Sequence, residues 1–462
     1  MPSHAGLSTL AASSKAVTTG RFRALLGLSL GYFMVLLDTT VLSVAEPDIA
    51  QSLHVSVGGL QWVVNGYTIT LAAFLLSAGA ISDRCGAHRT FRYGTAVFGL
   101  LSALSAVAPS VAALIIARAL LGVAAAACVP SSTAMIATLY PESGARARAL
   151  ALWTAISGVG LALGPLVGGV LVELAGWRSV FLINMPIAIV VLILVSGHRF
   201  VSIPVRRHID FLAQLLACAT LGLFSGSLIS FGGGQTELAV ILASATLVSI
   251  IVLVGVERRS ASPVFAPAIL RTRGVIAGLI VGALVNFALT GVIFALPLLL
   301  VAQLGLTPEQ IGLYLLPLTV PCAINPLLTG LIVTRKGTRI PIVGGLFLLA
   351  VGSTIVGVCI AVRFPTVTTA CGLALIGFGI SFTLPALINA VIGASPHGTA
   401  GTSSGLLNAV RQTGATIGVA VIGAALTALP ASTGGPAALA IIAGLAAAGC
   451  VSYAMLTRAD AR

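Results

Sequence analysis

Long apolar runs, separated by short polar connections, occupy nearly all of this 462-residue chain. Each run is close to the roughly 20 residues that an α-helix needs to cross a hydrocarbon core ~30 Å thick. The alternating pattern of membrane β-strands is absent, which leaves helices as the spanning elements. The pattern predicts fourteen spans, at about Leu25–Ala45, Gly59–Ile81, Phe91–Ala108, Val111–Ile136, Ala149–Leu174, Val180–Ser196, Phe211–Phe231, Leu238–Val256, Val275–Ala302, Ile311–Val333, Ile340–Val362, Thr366–Gly393, Ser403–Leu426 and Ala437–Leu456.

Composition supports the membrane interpretation. The chain is 58% apolar and 8% charged, whereas a soluble protein carries roughly 25% charged residues. So few charges cannot cover a water-facing surface, which excludes a soluble enzyme, a disordered chain and a nucleic-acid-binding domain. The sequence predicts an all-α polytopic membrane protein in contact with the lipid bilayer.

The positions of lysine and arginine orient the spans. With the N-terminus inside, 20 of the 24 Lys and Arg residues fall in inside segments, and only Arg178 and Arg363 fall outside. Positive residues concentrate on the cytoplasmic side of membrane proteins. We therefore predict a multi-pass protein of the plasma membrane (a bacterial inner membrane) with both termini cytoplasmic. This bias explains the net charge of +13 without a nucleic-acid partner.

The connections divide the chain into two halves. The longest polar connections flank the seventh and eighth spans, and a pattern in the second-to-third-span loop (Gly79-x₄-Arg84-x-Gly86) recurs 251 residues later. Internal repeats in a membrane protein with short loops point to a secondary transporter. The predicted organisation is a tail (1–22), a six-span bundle (23–198), a linker with two extra spans (199–260), a second six-span bundle (261–457) and a tail (458–462).

No cofactor is expected. Neither lysine, Lys15 or Lys336, lies in a Gly-Lys-Ser/Thr phosphate loop, which argues against ATP hydrolysis through a P-loop. The six histidines lack metal-ligand spacing, so we predict no metal site.

Asp38 and Arg118 are the charges that most need explaining, because a charge at mid-bilayer costs about 2.5–3.5 kcal/mol. Asp38 lies ~20 Å from the inner side of the first span, and Arg118 lies ~10 Å from the outer side of the fourth, at ~1.5 Å per residue. The two depths coincide, so the side chains can meet. One interpretation is a proton-sensitive pair that couples transport to the proton gradient, and the other is a static ion pair. Glu46, at the outer end of the first span, is either a further proton site or part of a solvated rim.

Polar residues in two other spans are candidates for a substrate cavity. Arg411 lies mid-span, where an anionic substrate group, backbone carbonyls or trapped water can meet it. Its neighbours Asn408 and Gln412 share this polar segment. Polar and aromatic residues of the second span form the other candidate group, namely Gln61, Trp62, Asn65 and Tyr67.

Three glycines of the fifth span recur every four residues and so share one helix face. Such a face lets a second helix approach closely, and an interleaved proline bends the span. Ordinary helix packing explains this pattern on physical grounds alone. The residues are Gly160, Gly164 and Gly168, with Pro165 and Gly169 between and beside them.

Six motifs in the right order resemble those of the major facilitator superfamily, specifically its fourteen-span drug:proton antiporter branch and its actinobacterial antibiotic-resistance exporters. The similarity extends over essentially the whole chain after the tail. The motifs are Leu37 to Val41, Gln61 to Tyr67, Gly79 to Arg89, Arg118 with Gly122, Gly160 to Gly169, and Asn408 to Gly414.

The resemblance implies the major facilitator fold, with two six-helix bundles, two extra central helices and alternating access around a central cavity. It also implies that the loop between spans two and three is an inner gate and that the fifth-span glycines pack helices to limit leak. The gate residues would be Gly79, Asp83, Arg84, Gly86 and Arg89. Leu121 replaces the usual Gln of the fourth-span motif.

We predict a non-enzymatic, monomeric transporter that exports small amphipathic or antibiotic-like molecules in exchange for protons. The alternative within transport is an exporter dedicated to one endogenous metabolite. An intramembrane hydrolase is disfavoured because no histidine lies inside a predicted span. A signalling or structural membrane protein would show no flux and no dependence on Asp38.

Overall fold

The computed structural model describes residues 4–196, 211–259, 272–362, 366–396 and 400–459. Every regular element in these ranges is a helix, as the apolar runs predict. The fifteen helices are α1 (His4–Ser52), α2 (Val57–Cys85), α3 (Ala87–Ala106), α4 (Val111–Leu139), α5 (Ser143–Ala175), α6 (Ser179–Leu182), α7 (Asn184–Ser196), α8 (Phe211–Gly232), α9 (Thr236–Arg259), α10 (Arg273–Leu304), α11 (Pro308–Lys336), α12 (Arg339–Ala361), α13 (Thr366–Ala394), α14 (Ala400–Ala428) and α15 (Ala431–Ala459).

Eleven of the described stretches are long and apolar enough to cross a membrane, and two bent helices raise that number to thirteen. The stretches include α6 and α7 together as one span, Ser179–Ser196. Helix α3 is not among them because Arg89 and Arg92, in its first two turns, lower its mean hydropathy. The protein is therefore a multi-pass helical membrane protein, and the count of fourteen spans stays a prediction.

The described helices form two bundles with the same internal pairing. In the first, α1 packs on α5, α2 on α4, and α3 on α4 and α7. In the second, α10 packs on α14, α11 on α13, and α12 on α13 and α15. The corresponding helices α2 and α11 even share a sharp bend, of 55° and 50° respectively. The repeat that the loop motifs indicate thus extends to the helix packing.

One predicted domain limit falls inside a helix, and two others lie outside the described residues. Helix α1 begins at His4 and so continues through the predicted tail, although its apolar stretch begins at Gly20. The predicted bundle limits at residues 198–199 and 260–261 lie outside the described residues. The two extra helices, α8 and α9, pack on each other, and α8 also contacts α2 and α14 where the bundles meet.

The seam between the bundles is formed toward one end of the molecule. We call the end with residues 53–56, between α1 and α2, the arginine-poor end, and the opposite end, with the turn at Gly86, the arginine-rich end. Thr319 of α11 donates to the Ala162 carbonyl of α5 (3.0 Å), and Thr416 of α14 donates to Thr68 Oγ1 of α2 (2.8 Å). All four residues lie in the arginine-poor half of their helices, so the bundles close on each other there.

Candidate functional site

A buried ion pair joins α1 to α4 inside the first bundle. Arg118 Nη1 donates to Asp38 Oδ2 at 2.5 Å, and each side chain is only 1% exposed. Each charge lowers the other's cost of burial, so the pairing that the depths along the chain predict is observed.

The second oxygen of Asp38 is held by α7. Asn184 Nδ2 donates to Asp38 Oδ1 and to Ser102 Oγ, each at 3.0 Å. Ser102 in turn donates to the Phe181 carbonyl at 2.7 Å. The break between α6 and α7 at Ile183 places Asn184 at the start of α7. Both oxygens of the carboxylate are therefore occupied by donors from other helices.

Arg118 is also tied to α2. Its Nε donates to the Val63 carbonyl at 3.4 Å, and its guanidinium carbon lies 4.5 Å from the centre of the Tyr67 ring. A guanidinium over an aromatic face is attracted by the ring quadrupole. These contacts do not depend on the charge of Asp38. If Asp38 were protonated, the tie between α1 and α4 would weaken while the tie between α4 and α2 stayed.

Glu46 is a buried acid in this structure. Its side chain is 2% exposed, Oε2 has no hydrogen-bond partner, and Arg118 lies within electrostatic range. The interpretation of Glu46 as part of a solvated rim is therefore wrong. The physical reason is that α1 continues to Ser52, which places Glu46 well inside the helix instead of at its end.

Arg411 of α14 is the cation of the second bundle. Its Nε donates to Asn286 Oδ1 at 3.2 Å, and its Nη1 donates to Asn408 Oδ1 at 3.1 Å. Arg411, Asn408 and Gln412 are all partly exposed, and the Tyr32 phenol of α1 lies within electrostatic range of Arg411. Arg411 thus lies near a residue of the first bundle, and contact of these three residues with substrate stays a prediction.

Tyr32 belongs to an aromatic pair opposite Arg411. The rings of Tyr32 and Trp153 stack with centroids 4.4 Å apart and planes 12° apart. Trp153 is 9% exposed, and its buried Nε1 has no hydrogen-bond partner. The sequence analysis predicted neither the stacking of Tyr32 on Trp153 nor a role for Asn286, although Asn286 is a polar residue in an apolar run, which is a usable signal.

The candidate residues of α2 lie in the seam. Gln61 Nε2 donates to the carbonyls of Val419 and Ala420 in α14, both at 2.9 Å. Trp62 packs against Gly226 of α8. A Cβ added at Gly226 would lie 3.3 Å from the indole ring. Asn65 and Tyr67 are fully buried, and the polar side-chain atoms of both lack partners. The structure does not bring these residues into one exposed cavity with Arg411, and their contact with substrate stays a prediction.

The glycine face of α5 lies against α1. A Cβ at Gly160 would lie 2.6 Å from the Phe33 carbonyl oxygen, and one at Gly168 would lie 2.7 Å from that of Val41. Gly164 faces Thr40 in the same way. Only glycine permits helices to approach this closely.

Two other fifth-span residues face the second bundle. A Cβ at Gly169 would lie 2.5 Å from the Pro308 carbonyl oxygen of α11, and Gly312 of α11 approaches the carbonyl of Pro165 equally closely. Helix α5 continues through Pro165 as one element. These two positions therefore contribute to the seam.

The predicted gate residues lie at the arginine-rich end. Gly86 ends α2 with φ = +93°, a left-handed conformation that favours glycine. Arg84 and Arg89 are exposed and line an open groove of about 1130 Å³ between α2, α3 and α4. Asp83 is partly buried, and Gly79 faces Pro130 of α4. The gating role of this segment stays a prediction.

Two similar bundles that close on each other at one end, with charges buried in their interior, define a membrane transport protein and not an enzyme. The chain belongs to the Major Facilitator Superfamily, whose family model matches residues 28–419.

Relatives and a solved structure agree with this assignment. The multidrug resistance protein Stp of Mycobacterium tuberculosis is 34% identical over 88% of this chain and 76% of its own length. The methylenomycin A resistance protein of Bacillus subtilis is 33% identical over 86% of each chain. A crystal structure of a bacterial homologue of the human lysosomal transporter Spinster, inward-facing and unoccupied, superposes with a TM-score of 0.67 at 19% identity, covering 95% of this chain and 97% of its own. At that identity the superposition shows the fold alone.

Proposed function

We propose that the protein is a proton-coupled antiporter that exports small amphipathic, antibiotic-like molecules across the plasma membrane by alternating access. The observation that carries the proposal is the buried ion pair between Asp38 and Arg118. The resistance functions named for the relatives support this class of cargo. The excess of Lys and Arg at one end supports placing that end and both termini in the cytoplasm.

The ion pair supplies a physical route from protonation to movement. Neutralising Asp38 removes the charge that holds Arg118 to α1, while Val63 and Tyr67 keep Arg118 on α2. Helix α1 also packs on α10 of the second bundle, so a change at Asp38 reaches the interface between the bundles. Protonation thus biases the equilibrium between two arrangements of the bundles, which is what coupling requires.

Of these two arrangements, the structure supports the one in which the bundles are closed at the arginine-poor end. Seam contacts close the arginine-poor end, and the low number of Lys and Arg residues there supports an outer location for it. This arrangement would receive cargo from the cytoplasm. Opening the outer end requires breaking the contacts of α2 with α14 and of α5 with α11.

The test is transport in everted membrane vesicles under an imposed proton gradient, with a panel of dyes and antibiotics. We expect gradient-driven accumulation with the wild type and its loss with Asp38→Asn. Asp48→Asn is the matched control, because Asp48 lies on the same helix but is partly exposed and outside the ion pair. We expect this control to transport normally.

Two outcomes would contradict part of the proposal and favour an alternative. Gradient-driven transport that survives in Asp38→Asn would contradict coupling through the ion pair and make Glu46 the next candidate. Transport of one compound but not of the panel would favour the dedicated metabolite exporter.

A further inference from the structure

Arg411 is a mid-span cation without an anionic partner in its own half of the chain. After residue 259 the sequence contains only two acids, Glu309 and Asp460. Glu309 lies in the first turn of α11, at the arginine-poor end, and Asp460 lies outside the described residues. Arg411 itself lies about 17 Å from the start of α14, at ~1.5 Å per residue. Its positive charge is therefore held in place but not neutralised.

The partners of Arg411 leave most of its donors available. A guanidinium has five N–H groups in a planar fork. Among the described residues, Arg411 uses two of them, on the neutral oxygens of Asn286 and Asn408. An arginine positioned by neutral groups, with further N–H groups available, suits bidentate binding of a carboxylate. The residue is partly exposed and lies close to Tyr32 of the first bundle, which places it beside the space between the bundles.

The acids of the first bundle are not available to a cationic substrate. Asp38 is 1% exposed, and both of its oxygens accept hydrogen bonds, from Arg118 and Asn184. Glu46 is 2% exposed. A lipophilic cation near Arg411 would meet a like charge and no accessible carboxylate from these two acids, whereas an anion would meet an uncompensated cation.

The aromatic pair indicates the shape of the rest of the ligand. Tyr32 lies within electrostatic range of Arg411 and stacks on Trp153. Flat rings prefer offset stacking with centroids about 4.5–7 Å apart, so the partly exposed Tyr32 ring, supported from behind by Trp153, suits contact with another ring. The Nε1 of Trp153 is buried and has no acceptor, so a polar ligand atom that reached this position would satisfy the donor. Trp153 is thus a second feature, independent of Arg411, that points to a ligand here.

We propose that the cargo is an organic anion, a carboxylate or similarly acidic group attached to a flat ring, with the anion on Arg411 and the ring against Tyr32 and Trp153. This inference rests on the proposed transport function and specifies the substrate class of the cavity. It assigns substrate charge to the second bundle and proton charge to the first.

The test is equilibrium binding to the purified full-length protein in lipid nanodiscs, measured by isothermal titration calorimetry without any proton gradient. The probes share one ring and differ in charge: 2-naphthoate, its neutral methyl ester and the 2-naphthylmethylammonium cation. We expect naphthoate to bind at least tenfold more tightly than the ester or the cation. Equal affinity for all three, tighter binding of the cation, or no saturable binding of naphthoate would overturn the proposal.

Two variants test whether Arg411 causes the preference for naphthoate. Arg411→Gln is expected to lose the tenfold preference for naphthoate, and Arg411→Lys to keep part of it, since the charge remains without the fork. An unchanged preference in Arg411→Gln would contradict the assignment. The comparison of the three probes on the wild type keeps the proposal testable even if a variant does not fold.

The binding test is separable from the transport test. Naphthoate binding in a protein whose transport ignores the proton gradient would refute proton coupling and leave the anion site standing. Proton-driven transport of cations by a protein that does not bind naphthoate would refute the anion site and leave proton coupling standing.

Discussion

Two mid-span arginines, one in each bundle, have opposite surroundings. Arg118 is 1% exposed and paired with a carboxylate at 2.5 Å. Arg411 is partly exposed and bound by two amide oxygens at 3.1 and 3.2 Å. The two bundles share one helix-packing pattern, so the difference is a matter of side chains and not of architecture.

The difference shows that two bundles with the same helix packing can hold sites of different chemistry. A compensated charge can change state when a proton arrives, because protonation removes half of the pair. An uncompensated charge is instead available for a charged ligand. The first bundle has the features of a proton site and the second those of a substrate site, and the following experiments test that division.

The largest effect is expected from breaking the compensated pair. Asp38→Ala leaves Arg118 buried without an anion, which costs about 3–5 kcal/mol when one partner of a buried pair is removed. The double variant Asp38→Ala with Arg118→Leu removes both charges and should recover much of this loss. Thermal unfolding of the purified protein in detergent measures both. A double variant as unstable as the single one would show that the ion pair is not the source of the loss.

The helix contacts beside the two arginines should respond equally, because both bundles use glycine at the corresponding contact. Gly168 faces Val41 in the first bundle, and Gly418 faces Phe287 in the second. We expect Gly168→Val and Gly418→Val each to destabilise the protein by about 1–3 kcal/mol through overpacking. Gly222→Val is the control, since no atom lies within 4 Å of its Cβ position. If Gly168→Val and Gly418→Val unfold at the same midpoint temperature as Gly222→Val, the close packing at these two glycines is contradicted.

A third experiment makes the second arginine resemble the first. Asn286→Asp places a carboxylate where Arg411 now meets an amide oxygen at 3.2 Å. The internal anion should compete with naphthoate and weaken its binding at least tenfold, which corresponds to about 1.4 kcal/mol. The same titration calorimetry measures it, with Asn389→Asp as a matched control because Asn389 bonds only within its own helix, to the Pro385 carbonyl. Undiminished binding in Asn286→Asp would mean that naphthoate does not use Arg411.

The most local effect is expected in the seam between the bundles. Gln61→Ala removes two hydrogen bonds to α14 carbonyls, each of which contributes about 1 kcal/mol. The arginine-poor ends of α2 and α14 should then exchange amide hydrogens faster, as followed by hydrogen–deuterium exchange. Exchange as slow as in the wild type would show that Gln61 does not help to close this end.

The sequence predicts the helices and the ion pair because both follow from the order and spacing of residues along the chain. Apolar length gives the spans, and counting residues from span ends gives the depths at which Asp38 and Arg118 meet. The partners Asn184 and Asn286 require knowing which helices are neighbours, which spacing along the chain does not determine. Each is nevertheless a polar residue in an apolar run, so both were available as candidates.

The sequence analysis missed features that depend on helix ends and on helix packing. The apolar pattern stops near Ala45, but α1 continues to Ser52, and this extension buries Glu46. The aromatic pair of Tyr32 and Trp153 was also out of reach, since it depends on the packing of α1 against α5. Hydrophobicity marks where lipid begins, and tertiary contacts decide where a helix ends.

The central claim is that Asp38 carries the proton that is exchanged for cargo. The most direct measurement follows lumenal pH with a trapped dye in proteoliposomes while cargo, identified from the panel, is supplied on one side. We predict cargo-dependent proton movement opposite to the cargo for the wild type and Asp48→Asn, and none for Asp38→Asn. Proton movement at the wild-type rate in Asp38→Asn would contradict the account.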